Sequence, residues 1–177
     1  MKTRTILASI LFAVLLASCT RTAPQTTASQ GDGFAIYLTA GNVPVSQMPA
    51  LSHVDVAESP FLSLPDIVSY EWNTHEIKLT ASAMEKLSVI QVPTNGTSFV
   101  VCVDRQPLYW GAFWVGYSSL SFDGIIIMQP LPTEGDTITI SKGYPSASFY
   151  RGEDPRNDAR IMESLKQAGK LLLPTLE

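Results

Sequence analysis

The chain has 177 residues, of which 12 are basic and 16 acidic, for a net charge of −4. This acidic balance lacks the basic stripe that neutralises phosphates, so it argues against nucleic-acid binding and against electrostatic attachment to anionic lipid. The two cysteines and two histidines leave few combinations for nucleophilic or metal chemistry.

In chain order, Lys2 and Arg4 precede about a dozen mostly apolar residues, Ile6 to Ala17, and the small pair Ala17-Ser18 stands before Cys19. A cationic start, a short apolar middle and a small-residue end make a processing segment. It falls short of the roughly 20 apolar residues that cross a bilayer. The tetrapeptide Leu16-Ala17-Ser18-Cys19 resembles the lipobox of bacterial lipoproteins. That resemblance implies a diacylglycerol on the Cys19 sulfur, cleavage before Cys19 and acylation of the new amino group. It also implies a lipid-anchored, extracytoplasmic place at the cell membrane or outer membrane. Without residues 1–18 the balance becomes 10 basic against 16 acidic residues. The 159 residues left suit one domain with a sizeable core.

Residues 20–31, TRTAPQTTASQG, are polar and aperiodic and cannot bury enough surface to fold. With Cys19 they form a tether, whose twelve residues have an r.m.s. span of about 20 Å. A single globular domain is expected over 32–177.

Within it, Phe34 to Leu38 and Val54 to Ala57 have the character of strands, with Gly41, Pro44 and Pro49 interrupting the connection. Ser63-Leu64-Pro65-Asp66 predicts a short helix start, because Pro suits the first helical position and Asp66 meets the positive end of the dipole. His75 to Leu79 alternates as a strand. Thr80 opens a second helix with Met84, Leu87 and Ile90 on its apolar stripe. Further strands are expected at Ser98 to Val103, Leu108 to Tyr117, Gly124 to Gln129 and Thr137 to Ser141. A final helix is expected from Pro155 to Ala168, capped by Asp154, with Ile161, Leu165 and Ala168 buried and Gly169 as the stop. The mixture predicts an α+β fold in which helices pack on one face of a mainly antiparallel sheet.

Residues 50 to 113 contain Val54-Asp55-Val56-Ala57, Pro60-Phe61-Leu62-Ser63 with Asp66-Ile67, Ile77 to Ala83, and Phe99 to Asp104 before Gly111. This stretch is similar to the periplasmic head subdomain of SecD, the protein-export subunit, although the transmembrane segments of that family are missing. The resemblance implies a non-enzymatic α+β module that touches exported polypeptide or a neighbouring membrane protein.

The candidate binding residues come from Tyr109-Trp110-Gly111-Ala112-Phe113-Trp114-Val115-Gly116-Tyr117. On a strand, Trp110, Ala112 and Trp114 share one face, and Tyr109, Gly111, Phe113, Val115 and Tyr117 the other. One reading buries both faces, since aromatics dominate cores. The other exposes Trp110 and Trp114 as a partner-binding pair with Ala112 leaving room between them.

Other chemistry has weaker support. Cys102 lies in the apolar run Phe99 to Val103 and suits a small buried hydrophobe; with Cys19 committed to lipid it has no disulfide partner. Ser118 to Gly124 lacks a nucleophile elbow and is expected to be a hairpin turn closing at Asp123-Gly124. His53 and His75 lie 22 residues apart with no carboxylates at ligand spacing, and Gly-rich phosphate loops are absent, so no metal or cofactor is expected. Arg151, Arg156 and Arg160 near a helix start suggest an anion site or, with Glu153, Asp154 and Asp158 beside them, a self-paired cap. The expected function is therefore a membrane-anchored, non-enzymatic binding or accessory module for an envelope protein or exported polypeptide. The alternative is an envelope hydrolase in which His53 or His75 meets Ser, Cys102 or two carboxylates.

Overall fold

A computed structural model describes residues 32–130 and 135–173; the leader and tether expected over 1–31, Cys19 included, lie outside the described residues. Among the described residues nine strands make one sheet: β1 (Phe34–Leu38), β2 (Leu62–Ser63), β3 (Ile67–Glu71), β4 (Glu76–Leu79), β5 (Thr97–Val103), β6 (Gln106–Trp114), β7 (Phe122–Met128), β8 (Thr137–Tyr144) and β9 (Leu171–Leu172). Their order is β2-β1-β5-β6-β7-β8-β4-β3-β9. With two helices, α1 (Ala81–Val89) and α2 (Ala159–Gln167), the class is α+β. The sheet is mixed: β6–β7 and β3–β9 run parallel among otherwise antiparallel neighbours.

Strands β2 and β3 stand near opposite ends of that order, yet only the 3-10 turn Leu64–Asp66 separates them. Three intervening residues span at most about 14 Å, so the sheet must curl round on itself. The rings of Phe34 on β1 and Tyr70 on β3 accordingly meet edge to face at 6.0 Å. Alternation puts Phe34 and Ile36, Phe99 and Val101, Tyr109 and Phe113, Ile125 and Ile127, Ile138 and Ile140, and Ile77 and Leu79 on the inner side, in one buried cluster. Ala83 and Leu87 of α1 and Ile161 and Leu165 of α2 join the same cluster.

Residues 39–61 leave the sheet between β1 and β2; Phe61 returns to the inner cluster against Phe113, whereas the part before it lies over the outer side. There Leu51, Val54 and Val56 pack on Tyr37, Val100, Cys102 and Trp110. The strand expected at Val54 to Ala57 is reduced to a single bridge, Thr39 with Val56, closed by hydrogen bonds from the Ala40 N–H to the Asp55 carbonyl and from the Ala57 N–H to the Leu38 carbonyl.

Two expected helices are corrected. The one at Ser63–Asp66 is a single 3-10 turn in which the Asp66 carboxylate accepts from the Ser63 N–H at 2.9 Å and its hydroxyl at 3.0 Å. The chain then enters β3, since pairing with β4 buries Ile67 and Tyr70. The C-terminal helix also starts later than Pro155. Asp154 caps only the 3-10 turn Pro155–Asn157, and Asp158 caps α2 by accepting from the Arg160 N–H at 2.9 Å. Ser164 ties α2 to the sheet by accepting from the Phe34 N–H at 2.7 Å.

Candidate functional site

The aromatic strand β6 divides as its alternation requires, with Tyr109, Phe113 and Val115 inside and Trp110, Ala112 and Trp114 outside. The outer side is not open to solvent along its length. Trp114 is only 2% exposed; its ring stacks on Phe122 at 5.3 Å and 10° and lies 5.8 Å from Tyr144. Gly96 approaches that ring so closely that a Cβ there would stand 2.5 Å from it. The exposed Trp110–Trp114 pair is therefore not presented: the rings of Phe122 and Tyr144 and the backbone at Gly96 cover Trp114.

Trp110 is half-buried. It lies 6.0 Å from the Phe122 ring and borders a cleft of 350 Å³ shared with Leu108, Tyr109, Asp123, Tyr150 and Arg151. The cleft exists because β6 and β7 pair only from Gly111 and Ile125 onward and part below that point. The buried Tyr109 hydroxyl has no hydrogen-bond partner among the described residues, and burial raises its pKa well above the usual value.

The densest group of titratable side chains lies around His75, on the turn before β4. The ring is 4% exposed, and its Nδ1 is 2.9 Å from the Tyr70 hydroxyl. Burial, reinforced by the Arg156 cation, lowers its pKa to about 4. Arg156 donates through Nε and Nη2 to Asp154 at 2.8 and 2.6 Å, and through Nη1 to the Ile140 carbonyl at 2.7 Å. Lys142 reaches Asp154 at 3.3 Å. The Asp154 carboxyl is held well below its ordinary range by Arg156. This arrangement fastens the 3-10 turn before α2 to β8, so Arg156 is engaged within the fold. Arg160 forks onto Asp158 at 2.9 and 2.6 Å in the same manner, while Arg151 donates to the Ser148 and Tyr150 carbonyls.

The remaining residues with chemical potential are dispersed. Cys102 is fully buried beside Tyr37 and Val100, and burial pushes its thiol up to about 11. His53 is exposed on a 3-10 turn of the outer cover. Ser118 donates to the Thr94 carbonyl, and no hydrogen bond among the described residues joins it to either histidine. No group of three or more His, Cys, Asp or Glu side chains is placed to hold a metal among the described residues.

Two surface residues escaped the sequence pattern. Tyr117, assigned by alternation to a strand face, is 77% exposed because β6 ends at Trp114. Leu120 is 48% exposed in the same connection. That connection is not the expected hairpin but a seven-residue crossover between parallel strands. The absence of charge from Gln106 to Phe122 was the available signal that this stretch is unusual. No family model, curated protein or solved structure matches the chain.

Proposed function

We propose that the chain is a lipoprotein held at the cell membrane or outer membrane by lipid on Cys19, with its domain on the extracytoplasmic side. That domain acts as a non-enzymatic binding or accessory module contacting exported polypeptide or a membrane protein. The observation that carries the anchor is Leu16-Ala17-Ser18-Cys19, behind two cations and an apolar run and ahead of a twelve-residue polar stretch. Stable anchoring needs two or more acyl chains, which diacylglyceryl transfer to this cysteine provides.

The condition of the reactive groups supports a module over an enzyme. Arg156 and Arg160 are forked onto carboxylates, His75 is hydrogen-bonded to Tyr70, and the Cys102 thiol is buried and protonated at neutral pH. The similarity of residues 50 to 113 to the SecD head subdomain supports polypeptide or a membrane protein as the class of partner.

Labelling with radioactive palmitate, followed by detergent-phase partition, tests the anchor. The native chain takes up label and enters the detergent phase, and Cys19→Ser does neither. Equal aqueous partition of the two unlabelled chains would contradict it.

A further inference from the structure

Two irregularities of the sheet meet at the cleft beside Trp110. In β6, Pro107, Leu108 and Tyr109 stand against only Cys102 and Val101 of β5, so Leu108 is one residue too many for the ladder. In β7, Asp123 and Gly124 lie between the partners of Tyr144 and Lys142, where β8 has Gly143 alone. Each extra residue bends its strand and interrupts regular pairing. Both fall just before Gly111 and Ile125, where the β6–β7 ladder begins. The cleft of 350 Å³ is thus formed by the sheet itself, and its size lies within the range of small-ligand sites, about 300–1,000 Å³.

Its lining combines aromatic surface with one cation and one anion. Half-buried Trp110 and Tyr150 supply the rings, whose electron-rich faces suit the C–H groups of a saturated ring. Exposed Asp123 and Arg151 supply the charges. Their backbones are joined, the Arg151 N–H donating to the Asp123 carbonyl at 3.0 Å, while neither side chain enters an ion pair among the described residues. Arg151 Nη1 is steadied by the Ser148 and Tyr150 carbonyls at 3.3 and 3.2 Å. Tyr109 belongs to the same lining, and its buried hydroxyl has no hydrogen-bond partner among the described residues. Such a donor in a folded protein ordinarily meets a bound oxygen.

The opposite charges decide the ligand class. An anion is repelled by Asp123 and a cation by Arg151, and ion pairs at exposed side chains add little even for a zwitterion. A neutral molecule with neighbouring hydroxyls uses both, because a carboxylate accepts from O–H and a guanidinium donates to oxygen. The cleft is also too small for a folded partner, whose stable interface takes about 800 Å² per side. Going beyond the polypeptide or membrane-protein contact proposed above, we infer that the Trp110 cleft binds a neutral sugar ring, with its C–H face against Trp110 and Tyr150 and its hydroxyls on Asp123 and Arg151.

The test titrates the purified full-length chain with N-acetylglucosamine, with its β-1,4-linked tetramer and with phenylalanine, read by isothermal titration calorimetry. A Kd of about 1 mM or tighter is expected for at least one of the two sugars. Trp110→Ala weakens it by about fivefold or more, and Asp123→Ala, at an exposed side chain that leaves the packing alone, by about threefold or more. Leu172→Ser, at an exposed leucine outside the cleft, leaves it unchanged. Urea midpoints confirm that the variants are folded. A tetramer that binds about tenfold tighter than the single ring identifies a glycan chain as the source, and equal affinities identify a free sugar. Absence of binding by both sugars, native affinity in Asp123→Ala and Trp110→Ala, or tighter binding of phenylalanine than of either sugar overturns the proposal. Cys19→Ser is expected to bind sugar as the native chain does, so loss of the anchor leaves this outcome intact.

Discussion

The Tyr70 hydroxyl and the Nδ1 of His75 stand 2.9 Å apart in a buried hydrogen bond whose direction follows the imidazole tautomer, and burial together with the Arg156 cation disfavours a charged ring there. The folded pKa of about 4 lies below the unfolded value near 6.5, so the unfolded chain binds the extra proton. This contribution to stability is fully present above pH 6.5 and is lost as pH falls from 6.5 toward 4. Urea unfolding at about pH 7.5 and about pH 4.5 should differ by on the order of 2 kcal/mol through this residue. His75 has φ of +55°, which Asn tolerates well, so His75→Asn should flatten that pH dependence without straining the turn.

Gly96 and Trp114 set a second expectation. With φ of +79° at Gly96 and the indole only 2.5 Å from where a Cβ would stand, alanine has no low-energy solution. Gly96→Ala should lower stability by about 2–4 kcal/mol and alter the Trp fluorescence of the native state.

Arg156 joins the turn before α2 to β8 through Asp154 and the Ile140 carbonyl. Arg156→Met removes the cation and leaves a half-buried carboxylate and a backbone carbonyl without it. The cost should be about 2–4 kcal/mol by urea unfolding. Arg156→Met with Asp154→Leu should cost less than Arg156→Met alone, because the carboxylate that only Lys142 would then hold is gone.

Cys102 gives a chemical prediction. With its thiol fully buried and its pKa pushed up to about 11, it should react negligibly with Ellman's reagent at about pH 8 until the chain is unfolded. If Cys19 carries lipid, unfolding should release one thiol per chain; release of two would place a free sulfur at Cys19.

Much of the strand pattern was legible because alternation is a local property. The bounds expected for β1 are those it has in the structure, and α1 is readable from the Thr80 cap. What was not legible depends on distant partners. Ile67 to Glu71 carries only Ile67 and Tyr70 as inward signals, and its strand state comes from pairing with β4 and β9. The parallel pairing of β6 with β7 is equally silent in sequence, since seven residues between strands usually indicate an antiparallel turn. That difference carries into the site: β6 ends at Trp114 and leaves Tyr117 exposed in the crossover, while Trp114 is covered by Phe122 of β7 and Tyr144 of β8. The polar group around His75 also eluded the pattern, because Tyr70, Arg156 and Asp154 come together only through the pairing of β3 with β4 and β4 with β8 and the bond of Arg156 to Ile140.

Intact-mass spectrometry of the chain extracted from its native membranes tests the central claim most directly. The account predicts a polypeptide that begins at Cys19 and carries a diacylglycerol on sulfur and an acyl group on its amino terminus. A chain that retains residues 1–18, or one that begins elsewhere with an unmodified Cys19, would contradict it.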